Sequence, residues 1–139
     1  FALPSSSPLR ARLKTSFSSD FPFIDLADAK NEPFIFLKPR QRFYQTGLDF
    51  CRQSGFVPNI LYELTNWDAI SMLIGGGMGV GFVSELVTRR INQNAHAPIF
   101  CHLLNHTATR PYAVVYKKHK QFSPEARDFI DFLPYLFRN

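Results

Sequence analysis

The stretch from Glu63 to Glu85, ELTNWDAISMLIGGGMGVGFVSE, constrains the fold more than any other part of the sequence. Thr65 and Asp68 have the spacing of a capping box, and apolar residues then recur at the period of a helix. Glycines at 75–77 predict the end of that helix, and Met78–Val83 is an apolar run typical of a short buried strand. A helix that leads into a strand without a hairpin signal predicts a βαβ layer.

The same alternation continues on both sides of this stretch. Four further apolar runs are bounded by turn residues and are predicted as strands: Phe34–Leu37, Asn59–Glu63, Ile99–Leu104 and Pro111–Tyr116. Residues 40–54 have helical period, and Gly55 is the expected C-terminal cap of that helix. Ser123 predicts the N-cap of a last helix, with Pro124 at its first position. The pattern indicates an α/β fold.

Composition sets the class of protein. A chain of 139 residues with 45% hydrophobic residues can bury a core, and it lacks both a secretory signal and an apolar run long enough to cross a membrane. Its cysteines, Cys51 and Cys101, resemble small core residues in a reducing compartment, so we expect a cytoplasmic protein. The formal charge of +5 suits an anionic ligand or nucleic acid, although the densest basic patch covers only residues 117–120. Phe1 is not an initiator methionine, and we expect a fragment of a longer protein.

In parallel β-α units, each helix begins at the carboxyl edge of the preceding strand. The helices that start near Arg40 and Thr65 should therefore open on the same side of the sheet, where their free N–H groups attract anions. The residues predicted to line this anion site are Lys38, Pro39, Arg40, Leu64, Thr65 and Asn66. An alternative interpretation makes Thr65 only a helix cap and Arg40 only a solvated charge.

Other kinds of chemistry receive little support from the sequence. The glycines follow a helix and precede a strand, whereas a phosphate-binding loop needs the opposite order. His102 and His106 fall on one face of a strand, but no closely spaced ligand pair accompanies them. No nucleophile motif or pair of catalytic carboxylates is present. We therefore expect no catalytic residues, no metal and no cofactor.

Three segments together resemble the effector-binding domain of LysR-type transcriptional regulators: EPFIFLKPR, QSGFVPNILYEL and NWDAISMLIGGGMGVGFVSE. Ser7-Pro-Leu is similar to the family's His-Pro-Leu, with Ser7 in place of histidine, and Ser84 stands where a proline is usual. The resemblance implies a fold like that of type 2 periplasmic binding proteins. Residues 1–108 would be its second lobe with the crossover strands, and residues 109–139 the returning strand and helix of the first lobe. The rest of that lobe and the DNA-binding domain would lie outside this sequence.

The resemblance also implies a function. A small effector would bind between the lobes, and an N-terminal winged helix-turn-helix, through which alone the protein would contact DNA, would control transcription. The effector residues carried over by position are Pro39, Arg40, Gln41, Leu64, Thr65 and Asn66, with Ser84 and Thr107 near the hinge. Arg40 and the two helix N-termini favour a small carboxylate. We also expect a homo-oligomer and no membrane partner. The alternatives are a transport-type solute-binding protein of the same architecture and a fragment of an α/β enzyme.

Overall fold

The computed structural model describes residues 1–85, 87–88, 97–108 and 113–136, apart from the side chain of Leu136. The chain divides into two compact units, Phe1–Ala108 and Thr109–Asn139. The assignment of residues 1–108 and 109–139 to two lobes stays a prediction. Within the described ranges, no helix combines the length and the apolar character needed to cross a membrane.

The first unit contains seven strands and two α-helices among the described residues. The strands are β1 (Ala2–Leu3), β2 (Phe23–Ile24), β3 (Pro33–Leu37), β4 (Asn59–Leu64), β5 (Val80–Gly81), β6 (Ile99–Phe100) and β7 (His102–Leu103). The helices are α1 (Arg42–Gln53) and α2 (Trp67–Gly75), and two short 3-10 helices cover Pro8–Arg12 and Leu26–Ala29. In the second unit, the described helix is α3 (Pro124–Leu136).

A five-stranded sheet in the order β4-β3-β5-β1-β6 forms the centre of the first unit. Its first three strands are parallel, with Leu37 opposite Leu64 and Ile35 opposite Gly81. The predicted βαβ layer is thereby confirmed. β1 is antiparallel to both of its neighbours, β5 and β6. A separate two-stranded sheet pairs β2 with β7 in parallel.

Both faces of β3 are buried, as its continuous apolar run predicts for a central parallel strand. Phe34 and Phe36 join a cluster that includes Cys51 of α1. Ile35 and Leu37 point to the other face and join a cluster that includes buried residues of α2. Because side chains alternate along a strand, one short segment supports a helix on each side of the sheet.

Glycines end both helices, as the sequence predicts. Gly55 has φ +83°, its N–H donates to the Arg52 carbonyl, and the next N–H donates to the Cys51 carbonyl. Gly77 has φ +84° and the same pair of bonds follows α2. This arrangement satisfies carbonyls that would otherwise lack partners at the end of a helix, and the positive φ favours glycine there.

Three predicted strands differ from the structure. Ile99–Leu104 is not one strand, because Cys101 separates β6 in the main sheet from β7 in the smaller sheet. The strand predicted at Met78–Val83 narrows to β5, since only Val80 and Gly81 pair with β3. The strand predicted at Pro111–Tyr116 begins outside the described residues. Its described part, 113–116, is exposed and forms no strand, because no described strand pairs with it.

Candidate functional site

The carboxyl ends of β3, β4 and β5 meet at one edge of the sheet, which we call the rim. α1 begins at Arg42, shortly after β3, and α2 begins at Trp67, shortly after β4. A helical turn follows β5, where the N–H of Val87 donates to the Ser84 carbonyl at 2.9 Å. The prediction that two helices begin side by side at the same edge is confirmed.

The first turn of α1 has no side-chain cap. A tight turn precedes the helix, in which the N–H of Gln41 donates to the Lys38 carbonyl at 2.9 Å. Gln41 occupies the N-cap position but makes no capping bond. Instead, its Nε2 donates to the Thr65 carbonyl at 2.8 Å and joins the starts of the two helices. The N–H of Tyr44 donates to the Gln41 carbonyl at 2.9 Å, so the backbone rather than a side chain closes the first turn of α1.

The start of α2 corrects the predicted cap. Asn66, not Thr65, is the N-cap, and its Oδ1 accepts the N–H of Ala69 at 2.7 Å. The physical reason is the length of β4, which stays paired with β3 as far as Leu64. Thr65 therefore still belongs to the extended chain that leaves the strand, and it takes part in the rim through its carbonyl.

Two aromatic side chains close the space beneath the rim. The rings of Phe43 and Trp67 meet edge to face, with centroids 4.8 Å apart and an interplanar angle of 89°. Beneath them is a cavity of about 10 Å³, which is room for about one water molecule. This cavity is too small to hold an organic ligand. Both aromatic residues fall within two positions of their N-caps, and neither is among the site residues predicted from the sequence.

Charge at the rim is unevenly distributed. Arg40 is exposed in the turn before α1 and makes no ion pair with any described residue. Glu63, near the end of β4, is engaged by the hydroxyl of Tyr44 in α1. Burial raises the pKa of Tyr44, and the neighbouring Glu63 carboxylate raises it further. Glu63 thus has a local partner, whereas the Arg40 guanidinium remains available to a ligand.

Seven of the eight predicted effector residues lie along the rim. Leu64 is the last residue of β4, and five others follow β3 or β4 directly: Pro39, Arg40, Gln41, Thr65 and Asn66. The seventh, Ser84, follows β5 at the same edge. Their role in binding an effector remains a prediction.

Thr107 does not join this group. Its neighbour His106 has Nε2 within 2.7 Å of the hydroxyl of Ser54, which is the C-cap of α1. A helix of 12 residues is about 18 Å long, so this bond places Thr107 near the far end of α1 from the rim.

The histidines and thiols have structural surroundings. His102 contacts the rings of Phe21 and Phe23, and no group of three or more potential metal ligands occurs in the described part of the chain. Burial raises the pKa of Cys51 to about 12 and that of Cys101 to about 11. Both therefore remain protonated thiols at neutral pH, which is not the nucleophilic form.

Comparison with known proteins matches residues 18–137 to the family described as LysR substrate binding domain. The HTH-type transcriptional regulator YwbI of Bacillus subtilis (strain 168) is 27% identical over 76% of this chain and 35% of that protein. The transcriptional dual regulator GltC of the same organism is 25% identical over 82% of this chain and 37% of its own length. The chain thus spans about a third of these relatives. The crystal structure of HinK, a LysR family transcriptional regulator from Pseudomonas aeruginosa, has the same fold, with a TM-score of 0.73. The two sequences are 18% identical, and the match covers 99% of this chain and 45% of that chain.

Proposed function

This chain belongs to the LysR substrate binding domain family, and on that premise we propose that it is the effector-sensing part of a transcriptional regulator. It binds a small molecule at the rim, and the bound state is relayed to a winged helix-turn-helix outside this sequence. One observation carries the proposal: the Gln41–Thr65 bond joins two helix starts, while the Gln41 side chain makes no capping bond to α1. Such a pair of helix starts is suited to a polar ligand.

We propose a small carboxylate as the effector class. An anion at a helix N-terminus gains about 0.3–2 kcal/mol, and a hydrogen bond to a charged group such as Arg40 adds about 1.5–3 kcal/mol. Micromolar binding requires about 8 kcal/mol, so these two contacts supply only part of the affinity. The remainder must come from apolar parts of the ligand against Phe43 and Trp67, and from residues outside this chain. Full affinity therefore requires the whole regulator.

Sensing and transport place different demands on the same architecture. A regulator needs a ligand that binds one of its conformations more tightly than the other, because a ligand with equal affinity for both would not change their populations. We propose a cytoplasmic homo-oligomer that binds its ligand without converting it. A transport-type solute-binding protein is the alternative, and the segment that precedes Phe1 in the complete protein discriminates between them. An export signal there would favour transport, whereas a helix-turn-helix would exclude it.

The effector class is tested with a panel of small carboxylates. Trp67 is the only tryptophan in the chain and lies at the rim, so its fluorescence reports binding directly. Arg40→Ala should weaken binding of the preferred carboxylate about 10- to 100-fold, as expected for one lost charged hydrogen bond. Arg52→Ala is the matched control, because it removes the same charge at the opposite end of α1, and it should leave affinity nearly unchanged. If no carboxylate binds the wild type better than Arg40→Ala, the proposed ligand class is wrong.

A second measurement addresses the enzyme alternative. The preferred ligand is incubated with the protein and followed by NMR, and a sensor should return it unchanged. Conversion of the ligand at a rate that follows protein concentration would replace the sensor proposal with an enzymatic one.

A further inference from the structure

Positive charge is concentrated in one short loop of the second unit, residues 116–122, which we call the basic loop. It contains Lys117, Lys118 and Lys120, which are three of the six lysines in the whole chain. No aspartate or glutamate occurs between Glu85 and Glu125, so the loop lies in a segment without acidic residues. The distribution departs from the scattered charge that an ordinary protein surface shows.

The basic loop has a defined conformation. The N–H of Lys120 donates to the Lys117 carbonyl at 3.1 Å, and His119 turns the chain with φ +66°. At the base of the loop, the rings of Tyr116 and Phe122 meet edge to face with centroids 4.9 Å apart. The ammonium group of Lys120 lies 6.0 Å from the centre of the Phe122 ring. All three lysines are exposed, and Lys120 also contacts the aromatic base through the Phe122 ring.

No described acidic side chain neutralises these lysines. The ion pair found among the described residues joins Arg52 to Asp49 in the first unit. The acidic residue next along the chain, Glu125, accepts a hydrogen bond from Ser123 that lowers the pKa of its carboxyl group. The loop therefore carries about three uncompensated positive charges, and its charge invites an anionic partner.

We propose that the basic loop contacts the phosphate backbone of DNA, as a second contact besides the winged helix-turn-helix that the family resemblance implies as the only one. Lysine is a mobile point charge, and several lysines on a short turn bind successive phosphates without reading sequence. The choice of DNA over other polyanions rests on the proposed function, since a transcriptional regulator works beside DNA. The contact itself does not involve the rim. Loss of effector binding and loss of DNA binding are therefore separable failures.

Salt dependence tests the proposal. Binding of the 139-residue chain to a fluorescent duplex of mixed sequence is followed by anisotropy between about 50 and 200 mM KCl. Each phosphate contact contributes about 0.9 to the slope of log affinity against log salt, so the triple variant K117A/K118A/K120A should lower that slope by about 2–3. Between 200 and 50 mM KCl, the ratio of wild-type affinity to triple-variant affinity should therefore rise about 16- to 64-fold.

Two matched variants separate charge position from net charge and from structure. R12A/K14A/K30A removes three exposed positive charges from the first unit and should leave most of the slope intact. K117R/K118R/K120R keeps the charge in the basic loop and should retain the wild-type slope. The proposal is overturned if the two alanine variants lower the slope equally. It is also overturned if K117R/K118R/K120R lowers the slope as much as K117A/K118A/K120A does.

Competition distinguishes DNA from an acidic protein. Unlabelled duplex should displace the labelled duplex, whereas polyglutamate of equal total charge should displace it poorly, because its carboxylates do not reproduce the phosphate spacing. Equal displacement by polyglutamate would assign the basic loop to acidic partners in general and overturn the assignment to DNA.

Discussion

Replacing Gly79 with alanine should destabilise the first unit more than replacing Gly77. Gly79 has φ +152°, and a Cβ at this position would overlap the carbonyl oxygen of Pro33 and lie 3.1 Å from its carbonyl carbon. These are backbone atoms at the start of β3, which is held between two strands, so no rotamer change can relieve the overlap. Unfavourable φ costs about 1–3 kcal/mol and overpacking about 1–3 kcal/mol. We expect Gly79→Ala to lower the free energy of unfolding by about 2–6 kcal/mol, from a total that is usually about 5–15 kcal/mol.

Gly77→Ala is the matched control. Gly77 also has a positive φ, of +84°, but a Cβ there would meet no atom within 4 Å. Its replacement should cost only the backbone strain, about 1–2 kcal/mol. The difference between the two variants therefore measures the overlap with the Pro33 carbonyl together with the additional strain of φ +152° at Gly79.

Urea denaturation followed by the fluorescence of Trp67 is a suitable assay, because this only tryptophan lies in the first unit. The midpoint should fall in the order wild type, Gly77→Ala, Gly79→Ala, with similar denaturant slopes. If Gly79→Ala is no less stable than Gly77→Ala, the close approach is not a constraint and the reasoning is refuted.

Three further predictions concern single side chains. The hydroxyl of Ser71 is fully buried and has no hydrogen-bond partner among the described residues, so Ser71→Ala should raise the free energy of unfolding by about 1 kcal/mol in the same titration. Asn66→Ala should lower the free energy of unfolding by about 0.5–2 kcal/mol, because the cap of α2 is lost. Thr65→Ala should change the free energy of unfolding by less than about 0.5 kcal/mol. The reverse order would identify Thr65 as the cap. Burial raises the pKa of Cys51 to about 12 and that of Cys101 to about 11, from an ordinary value of 9.0. Above about pH 9 the unfolded chain therefore loses these protons more readily than the folded chain does, and the free energy of unfolding should fall as pH rises. Alkylation of these thiols at pH 8, followed by mass spectrometry, should require unfolding, and rapid labelling of the native protein would contradict their burial.

The alternation of strands and helices could be predicted from the sequence because its signals are local. The apolar run Phe34–Leu37 identifies a central strand without knowledge of its neighbours. Gly55 and Gly77 identify helix ends because glycine has no Cβ and adopts positive φ without a steric penalty, whatever its neighbours are. Given parallel strands, the side-by-side helix starts then follow from geometry alone.

Other features depend on contacts between distant segments. Thr65 and Asn66 are both good caps, and the pairing of β4 with β3 decided between them. The break at Cys101 arises because the segment leaves one sheet and joins another, which an apolar run does not reveal. The bond from Gln41 to the Thr65 carbonyl spans 24 positions and has no sequence signature. These contacts depend on the tertiary structure, so local patterns cannot specify them.

The position of β1 inside the main sheet has a consequence for biosynthesis. Ala2 pairs with Gly81 on one side and with Phe100 on the other, so the strand emerges from the ribosome long before either neighbour exists. At translation speeds of about 5–20 residues per second, Ala2 waits about 5–20 seconds for Phe100. Both of its edges are open to incorrect pairing until Gly81 is made, and the edge that faces Phe100 stays open longer, so shielding by a chaperone would be most useful then.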